Sequence, residues 1–291
     1  MIEKVIAKKQ MTDQQAESLK ISFLSEDSYD RLFTEDVDVY DTAGVLMAKF
    51  RKGIFPIDKL KLGYESFKDS IQWTEGRGAA SGASRKRIRS DGSVANTTVG
   101  EFVQSGNVGF MDPSAMIRYC RKTAFARDYF DKFTAGIPFV EEVDKWYQEL
   151  CPEYYKIQKN FANATNQNFR IADTSFTTVT VNRNFVTAVH KDSGDLPQGF
   201  GNLVIYREGS WKGSYFTLPQ YRIAFDLQNT DILFVDVHKW HGNTPYIDFD
   251  VERGDLRIAF VLYYREYMLK CGTPTEELAR VKRDQGGFMR L

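Results

Sequence analysis

Thr187-Ala188-Val189-His190-Lys191-Asp192-Ser193-Gly194-Asp195 decides how the rest of the chain is read. Side chains alternate faces along an extended backbone, so His190 and Asp192, two residues apart, point the same way there. The run follows a strand-like stretch, Phe176-Thr177-Thr178-Val179-Thr180-Val181. A second pair, His241-Gly242, follows another such stretch, Ile232-Leu233-Phe234-Val235-Asp236-Val237. Two imidazoles and one carboxylate on one face of Fe(II) leave positions open for a co-substrate and dioxygen, so the layout reads as a non-haem iron site. Taken alone, an Asp two residues after a His is more often a turn carboxylate beside a satisfied histidine. The wider pattern argues for ligands: the chain has 3 histidines, all in this half and all beside strand-forming runs.

His238 and His241 compete for the distal position. Ile232, Phe234, Asp236 and His238 form a regular period of two, so His238 can simply follow its strand. His241 stands where the strand run gives way to Gly242 and Asn243, and a ligand at a turn can be aimed while the next strand starts cleanly. A His-x-x-His pair on a helix would suit zinc, but Val235, Val237 and Trp240 disfavour a helix. His241 is therefore the third expected ligand.

Further on, Gly254-Asp255-Leu256-Arg257-Ile258-Ala259-Phe260-Val261-Leu262-Tyr263-Tyr264-Arg265 reads as an alternating, aromatic-rich strand. An arginine inside such a strand is costly to bury unless an anion meets it, and its planar fork suits a carboxylate. Arg257 is the expected anchor for 2-oxoglutarate; an ion pair with a nearby Asp is the competing explanation.

Three blocks carry a family resemblance: Phe176 to Asp195, Asp236 to Thr244, and Arg257 to Arg265. Over roughly residues 105 to 268 they resemble, in order, the catalytic core of the TET/JBP dioxygenases, which oxidise the 5-methyl group of pyrimidines in DNA. The resemblance implies iron held by His190, Asp192 and His241 and the distal carboxylate of 2-oxoglutarate on Arg257. It also places Asp195 at a base-reading position and Arg265 at a second pocket position. Where the family commonly has Ser two residues after the Arg, this chain has Ala259, so one hydroxyl contact to the co-substrate is missing. Ascorbate, a reductant in such reactions, is the alternative co-substrate.

The remaining sequence bounds the setting. The chain has 291 residues, with Lys plus Arg and Asp plus Glu each 39, so no global positive field steers a nucleic acid and local patches must serve. Cys120, Cys151 and Cys271 are scattered without Cys-x-x-Cys spacing and read as reduced thiols. With no signal-like or membrane-spanning run, the expectation is a soluble intracellular protein, cytoplasmic in a prokaryotic or phage-infected cell and nuclear in a eukaryote, with no membrane partner.

Residues 12 to 24 read as a short helix, and 37 to 41 and 45 to 50 as two strands across a turn. From Gly76 to Gly100 the composition turns to Gly, Ala and Ser around Arg85, Lys86, Arg87 and Arg89, predicting a mobile basic loop suited to phosphate contact or simply solvated. A helix starting near Asp112-Pro113 would carry Arg118, Arg121, Lys122 and Arg127. Residues 138 to 160 predict an amphipathic helix with Val140, Val143, Trp146, Tyr147 and Leu150 on one stripe, interrupted at Pro152. Short strands then follow at 202–206, 213–219 and 221–227, and a capped C-terminal helix at 275–283 precedes a frayed tail.

The expected fold class is α+β: a double-stranded β-helix of the jelly-roll or cupin-like kind with flanking buttress helices. Residues 1–104 are expected as an extension packing on a core of residues 105–291. The function this implies is Fe(II)- and 2-oxoglutarate-dependent hydroxylation of a pyrimidine 5-methyl group in DNA. Asp195 can accept from an exocyclic amine, which favours 5-methylcytosine over thymine, while Asn182 and Asn184 can serve either base. A hydroxylase of a protein side chain or small metabolite, and a non-catalytic DNA-binding relative, are the alternatives.

Overall fold

The computed structural model describes residues 2–82, 85–88, 91–114 and 116–288. The larger of its two main sheets has 10 strands. At its centre, Leu256–Tyr263 pairs antiparallel with Thr178–Arg183 on one side and Gly201–Glu208 on the other. Beyond Thr178–Arg183 lie Val103–Met111 and, at the edge, Gln72–Thr74. Beyond Gly201–Glu208 come Ile232–Val235, Leu46–Arg51, Val37–Tyr40 and Glu3–Ile6. The smaller sheet, of 4 strands, runs Gly242–Asn243, Phe216–Leu218, Ile223–Phe225, Arg31–Phe33. Strands from residues before 105 thus complete both sheets of a double-stranded β-helix.

Both faces of the central strands are covered, and the period of two sorts their side chains. Ile258, Phe260 and Leu262, with Val179, Val181, Val204 and Phe234, meet the helices. Leu203, Ile205, Leu233, Val235 and Ala259 face the smaller sheet through Phe216, Leu218, Ile223 and Phe225. On Thr178–Arg183 the same alternation sends Thr180 and Asn182 into the cavity between the sheets.

The helical layer follows the predicted stripe. Helices Ile137–Leu150 and Pro152–Ala164 meet at Cys151, where Pro152 starts the second, and Phe139, Val140, Val143 and Tyr147 are buried. Helix Ile57–Phe67 crosses this layer so closely that a Cβ on Gly63 would lie 2.6 Å from the Phe139 ring. Asp144 does more than pack: it accepts hydrogen bonds from Ser175 N at 2.8 Å, Ser175 Oγ at 2.6 Å and Tyr155 Oη at 3.1 Å. The helix is thereby fastened to the lead-in of the strand that carries Thr180 and Asn182. Burial nevertheless pushes the Asp144 carboxyl up, against the pull of the Ser175 bonds.

Four expectations are corrected. The segment 76–100 holds a turn of 3-10 helix, Gly78–Ser81, and an antiparallel pair, Arg85–Ile88 with Val94–Val99, where a loop was expected. The overlooked signals were Asp91-Gly92, a hairpin dipeptide, and the β-branched run after it. Among the described residues from Asp112 on, helix begins at Ala124–Asp128, capped by Thr123, and resumes over Phe130–Ala135; Arg121–Lys122 is instead a short strand on Val103–Met111. The C-terminal helix spans Pro274–Phe288 through Gly286 and Gly287, and residues 289–291 of the expected tail lie outside the described residues.

The cysteines give the fourth correction: Cys120 and Cys271 form a disulfide across a sequence separation of 151, and only Cys151 is a buried free thiol. No local spacing could announce so long a bridge. Glu277 reinforces it by accepting from Cys120 N and Gly272 N, both at 2.7 Å. Closing a loop of this length stabilises by about 5 kcal/mol in the chain-entropy account. Reduction, or Cys120→Ser with Cys271→Ser, is expected to lower the melting temperature by several degrees in a calorimetric scan; an unchanged midpoint would show that the bridge contributes nothing. Among the described residues no helix is long and apolar enough to cross a membrane.

Candidate active site

His190 and His241 come from neighbouring turns that hydrogen-bond each other. His190 N donates to His241 O at 2.9 Å, and His241 N to His190 O at 3.0 Å. Asp192 N donates to Val237 O at 3.1 Å, so main-chain bonds fix all three residues. Behind them, Thr187 Oγ1 donates to Asn243 Oδ1 at 2.7 Å, while Ala188 N donates to Ala80 O at 2.7 Å.

The ring orientations follow from local bonds. Nδ1 of His190 lies 2.8 Å from Ala188 O, and Nδ1 of His241 lies 2.9 Å from Lys239 O. A carbonyl can only accept, so each Nδ1 carries the proton and each Nε2 keeps its lone pair for a ligand. Those Nε2 atoms lie 3.5 and 3.6 Å from the two Asp192 oxygens, and the donor atoms of the three residues lie within 4.8 Å of one another. Phe216 stacks on His241 with centroids 5.2 Å apart.

The electrostatics suit a cation. Burial, then the neighbouring His190, pushes the His241 imidazole down to about 4, keeping it neutral. Asp192 is pushed up by burial, but His190, His241 and Arg77 outweigh this and hold its carboxyl below the usual range. His238 turns aside and bonds Asp236, its Nδ1 3.2 Å from Oδ1.

These residues open on a cavity of about 440 Å³ that also receives Arg257, Asp195, Asn182 and Arg265. Arg257 is 4% exposed, and among the described residues no carboxylate lies within ion-pair distance of it. The competing ion pair is therefore absent, and a buried cation faces the cavity. Burial pushes the Arg257 guanidinium down, with Tyr246 opposing. Its directly opposite neighbour across the ladder, Arg207, is a second cation, engaged by Gln228 Oε1 at 2.6 Å and stacked over Trp211. Ala259 lines the same wall and adds no polar group.

Asp195 is buried, and burial and the nearby Asp192 charge hold its carboxyl well above the ordinary range despite Arg265 and Arg77. Arg265 is locked by Asp112, Nε to Oδ1 at 2.6 Å. Asn182 accepts from Ser105 Oγ at 2.6 Å, which leaves its amide NH2 to meet a ligand. Asn184 is a correction: it stands outside the cavity at φ 49°, where Oδ1 accepts from Arg257 N at 2.8 Å. It steadies the strand that carries Arg257. Arg89 lies outside the described residues, and of Arg85, Lys86 and Arg87 only the backbone course is described.

Sequence reasoning missed Thr180, Tyr263 and Arg77. Extending the period of two from Asn182 and from Arg257 would have reached the first two, which meet through their hydroxyls at 3.2 Å. Arg77 had no such signal. It follows a glycine in an irregular segment, and its guanidinium donates to Asn107 Oδ1 and Thr180 Oγ1, each at 3.3 Å.

Two histidines and one carboxylate with open Nε2 atoms, backed by a buried arginine that has no acid partner among the described residues, inside a double-stranded β-helix, define the Fe(II)- and 2-oxoglutarate-dependent oxygenases. Residues 112–266 match the Tet_JBP family, described as the oxygenase domain of the 2OGFeDO superfamily, and the chain belongs to that family. It is 35% identical over 150 residues to the bifunctional helicase and thymine dioxygenase JBP2 of Trypanosoma cruzi (strain CL Brener), covering 50% of this chain and 13% of that protein. To the thymine dioxygenase JBP1 of Trypanosoma brucei brucei it is 31% identical over 163 residues, covering 55% of this chain and 19% of that one. The chain thus spans less than a fifth of the length of these curated relatives. Among solved structures, NgTET1 in complex with 5mC DNA shares the fold at a TM-score of 0.59 and 13% identity, covering 94% of this chain and 100% of that one.

Proposed function

We propose that this chain hydroxylates the 5-methyl group of a pyrimidine in DNA, with His190, Asp192 and His241 holding Fe(II) and Arg257 holding 2-oxoglutarate. The observation that carries the reading is the donor set: two imidazoles with lone pairs free at Nε2, a carboxylate between them, and a buried guanidinium with no acid partner in the same cavity. When bound, the iron and its co-substrate supply the oxidising chemistry that activates dioxygen against a methyl C–H bond.

The residues of the chain do the rest. The backbone carbonyls of Ala188 and Lys239 hold both imidazoles in one tautomer and aim them. Arg257 orients the co-substrate by gripping its far carboxylate, in a pocket whose apolar walls, Leu203, Phe216 and Val261, exclude water. A base inside a duplex cannot reach this cavity, so the target nucleotide must be flipped out or arrive unpaired, at a cost of a few kcal/mol. Asp195, with the amide of Asn182 nearby, receives the edge of the base.

We favour 5-methylcytosine as the target, because its exocyclic amine donates to an acceptor such as the carbonyl oxygen of the Asp195 carboxyl, which accepts in either protonation state, and thymine has no such amine. Thymine is the second reading, supported by the 31 and 35% identity to proteins named thymine dioxygenases. Incubation with Fe(II), 2-oxoglutarate, ascorbate and oxygen on duplexes with and without 5-methylcytosine, followed by mass spectrometry of the nucleosides, decides between them. 5-Hydroxymethylcytosine that vanishes without 2-oxoglutarate supports the first reading, and 5-hydroxymethyluracil moves the substrate to thymine. No oxidised base from iron-loaded protein would overturn both.

Asp195→Ala removes the acceptor in either protonation state. On the first reading it is expected to lower oxidation of 5-methylcytosine about ten- to a hundredfold, the range of one good base contact. Turnover of 2-oxoglutarate without DNA should persist; equal loss of both would place Asp195 in the iron site's support.

A further inference from the structure

A second groove, of about 480 Å³, adjoins the catalytic cavity and shares Gly76 and Arg77 with it as a common wall. Arg77 is the partition: its guanidinium reaches Thr180 on the cavity side and Asn107 on the groove side. The groove's cations differ in how they are engaged. Arg127 is neutralised by Asp128 at 2.7 Å. Arg121 donates to a backbone carbonyl, that of Asp112 at 3.3 Å, and Lys122 lies over the Phe130 ring at 4.7 Å. Among the described residues, Arg121 and Lys122 have no salt-bridge partner, while Arg77 faces the buried carboxyls of Asp192 and Asp195 on its cavity side. Arg121 and Lys122 sit side by side on the short strand against Val103–Met111.

Aromatic rings stand beside these charges. Trp73 lines the groove from the edge strand and is 67% exposed, and Tyr129 lines it at 49%. A large indole left in water on a sheet edge costs solubility and adds nothing to the core. Cations lining one groove together with exposed flat rings are the surface that single-stranded nucleic acid selects: phosphates take the cations and bases stack on the rings.

We propose that this groove is the track for the unpaired strand flanking the target nucleotide, with phosphates on Arg77, Arg121 and Lys122 and a neighbouring base on Trp73. The inference rests on the nucleic-acid reading of the active site and adds the path by which the strand leaves it. Arg77 sits where the path enters the catalytic cavity, so a nucleotide in the cavity and its neighbour in the groove are separated by one guanidinium.

The test uses the full chain with Trp73→Ala, Trp73→Phe and Lys122→Glu, none of which touches the iron site. Fluorescence anisotropy with a labelled single-stranded 12-mer is run over a salt series, together with 2-oxoglutarate turnover in the absence of DNA. Trp73→Ala is expected to weaken binding about tenfold, and Trp73→Phe, which keeps a stacking face, to restore most of it. Lys122→Glu is expected to weaken binding and reduce the salt slope by about 1. Turnover without DNA should be unchanged in all three. Wild-type affinity and slope in every variant would overturn the groove while leaving the proposed function standing. A wild-type protein that neither binds the oligonucleotide nor oxidises a base would overturn both.

Discussion

His190→Ala or His241→Ala is expected to leave a folded protein that no longer retains iron and no longer consumes 2-oxoglutarate, with activity down by at least about a hundredfold. Losing a group that merely orients a ligand already costs ten- to a hundredfold, and here a ligand itself is lost. The fold should survive because the backbone bonds between the two turns, His190 N to His241 O and the reverse, do not involve the rings. Metal content after anaerobic loading and dialysis checks the claim, with circular dichroism to confirm folding. Full iron retention in either variant would remove that histidine from the ligand set.

The second large effect is at Arg257. Arg257→Leu is expected to raise the KM for 2-oxoglutarate about a hundred- to a thousandfold, the cost of removing one partner from a buried charge-assisted contact. The same change should leave the melting temperature of the ligand-free protein equal or higher, because a buried cation beside Arg207, with no acid partner among the described residues, is replaced by an apolar group. A structural ion pair would behave oppositely and lose stability. Added 2-oxoglutarate should raise the melting temperature of the wild type and not of the variant. A variant with lowered stability and normal co-substrate affinity would dismiss the anchor role.

Much of the architecture was legible in the residues because a strand covered on both faces reads as an apolar run bounded by turn residues. Leu256–Tyr263 shows this: it is apolar or aromatic throughout except for Arg257, so the strand is clear and the one charge in it stands out. The convergence of His190, Asp192 and His241 was readable for another reason, the scarcity of histidine in the chain. What escaped reading depended on contacts distant in sequence. Cys120 and Cys271 carry no local sign of each other, and Asn184 looks like a polar pocket residue until its bond to the Arg257 backbone is seen. Arg77 lies in a stretch without periodicity, so only the folded chain brings it to the cavity. Arg121 and Lys122 were assigned to a helix by their spacing, yet pairing with Val103–Met111 overrode that local preference.

The paired turns that carry His190 and His241 have a consequence for which metal the protein selects. On the proposed ligand set, a spacing held by main-chain bonds before any ion arrives would suit most divalent first-row ions of similar size. Intrinsic affinity then follows the general order in which nickel, copper and zinc outrank ferrous iron. Choice of the reactive metal is left to the supply in the cell. Micromolar zinc or nickel is therefore expected to poison the protein by occupancy alone, and a chelator followed by ferrous iron to restore it.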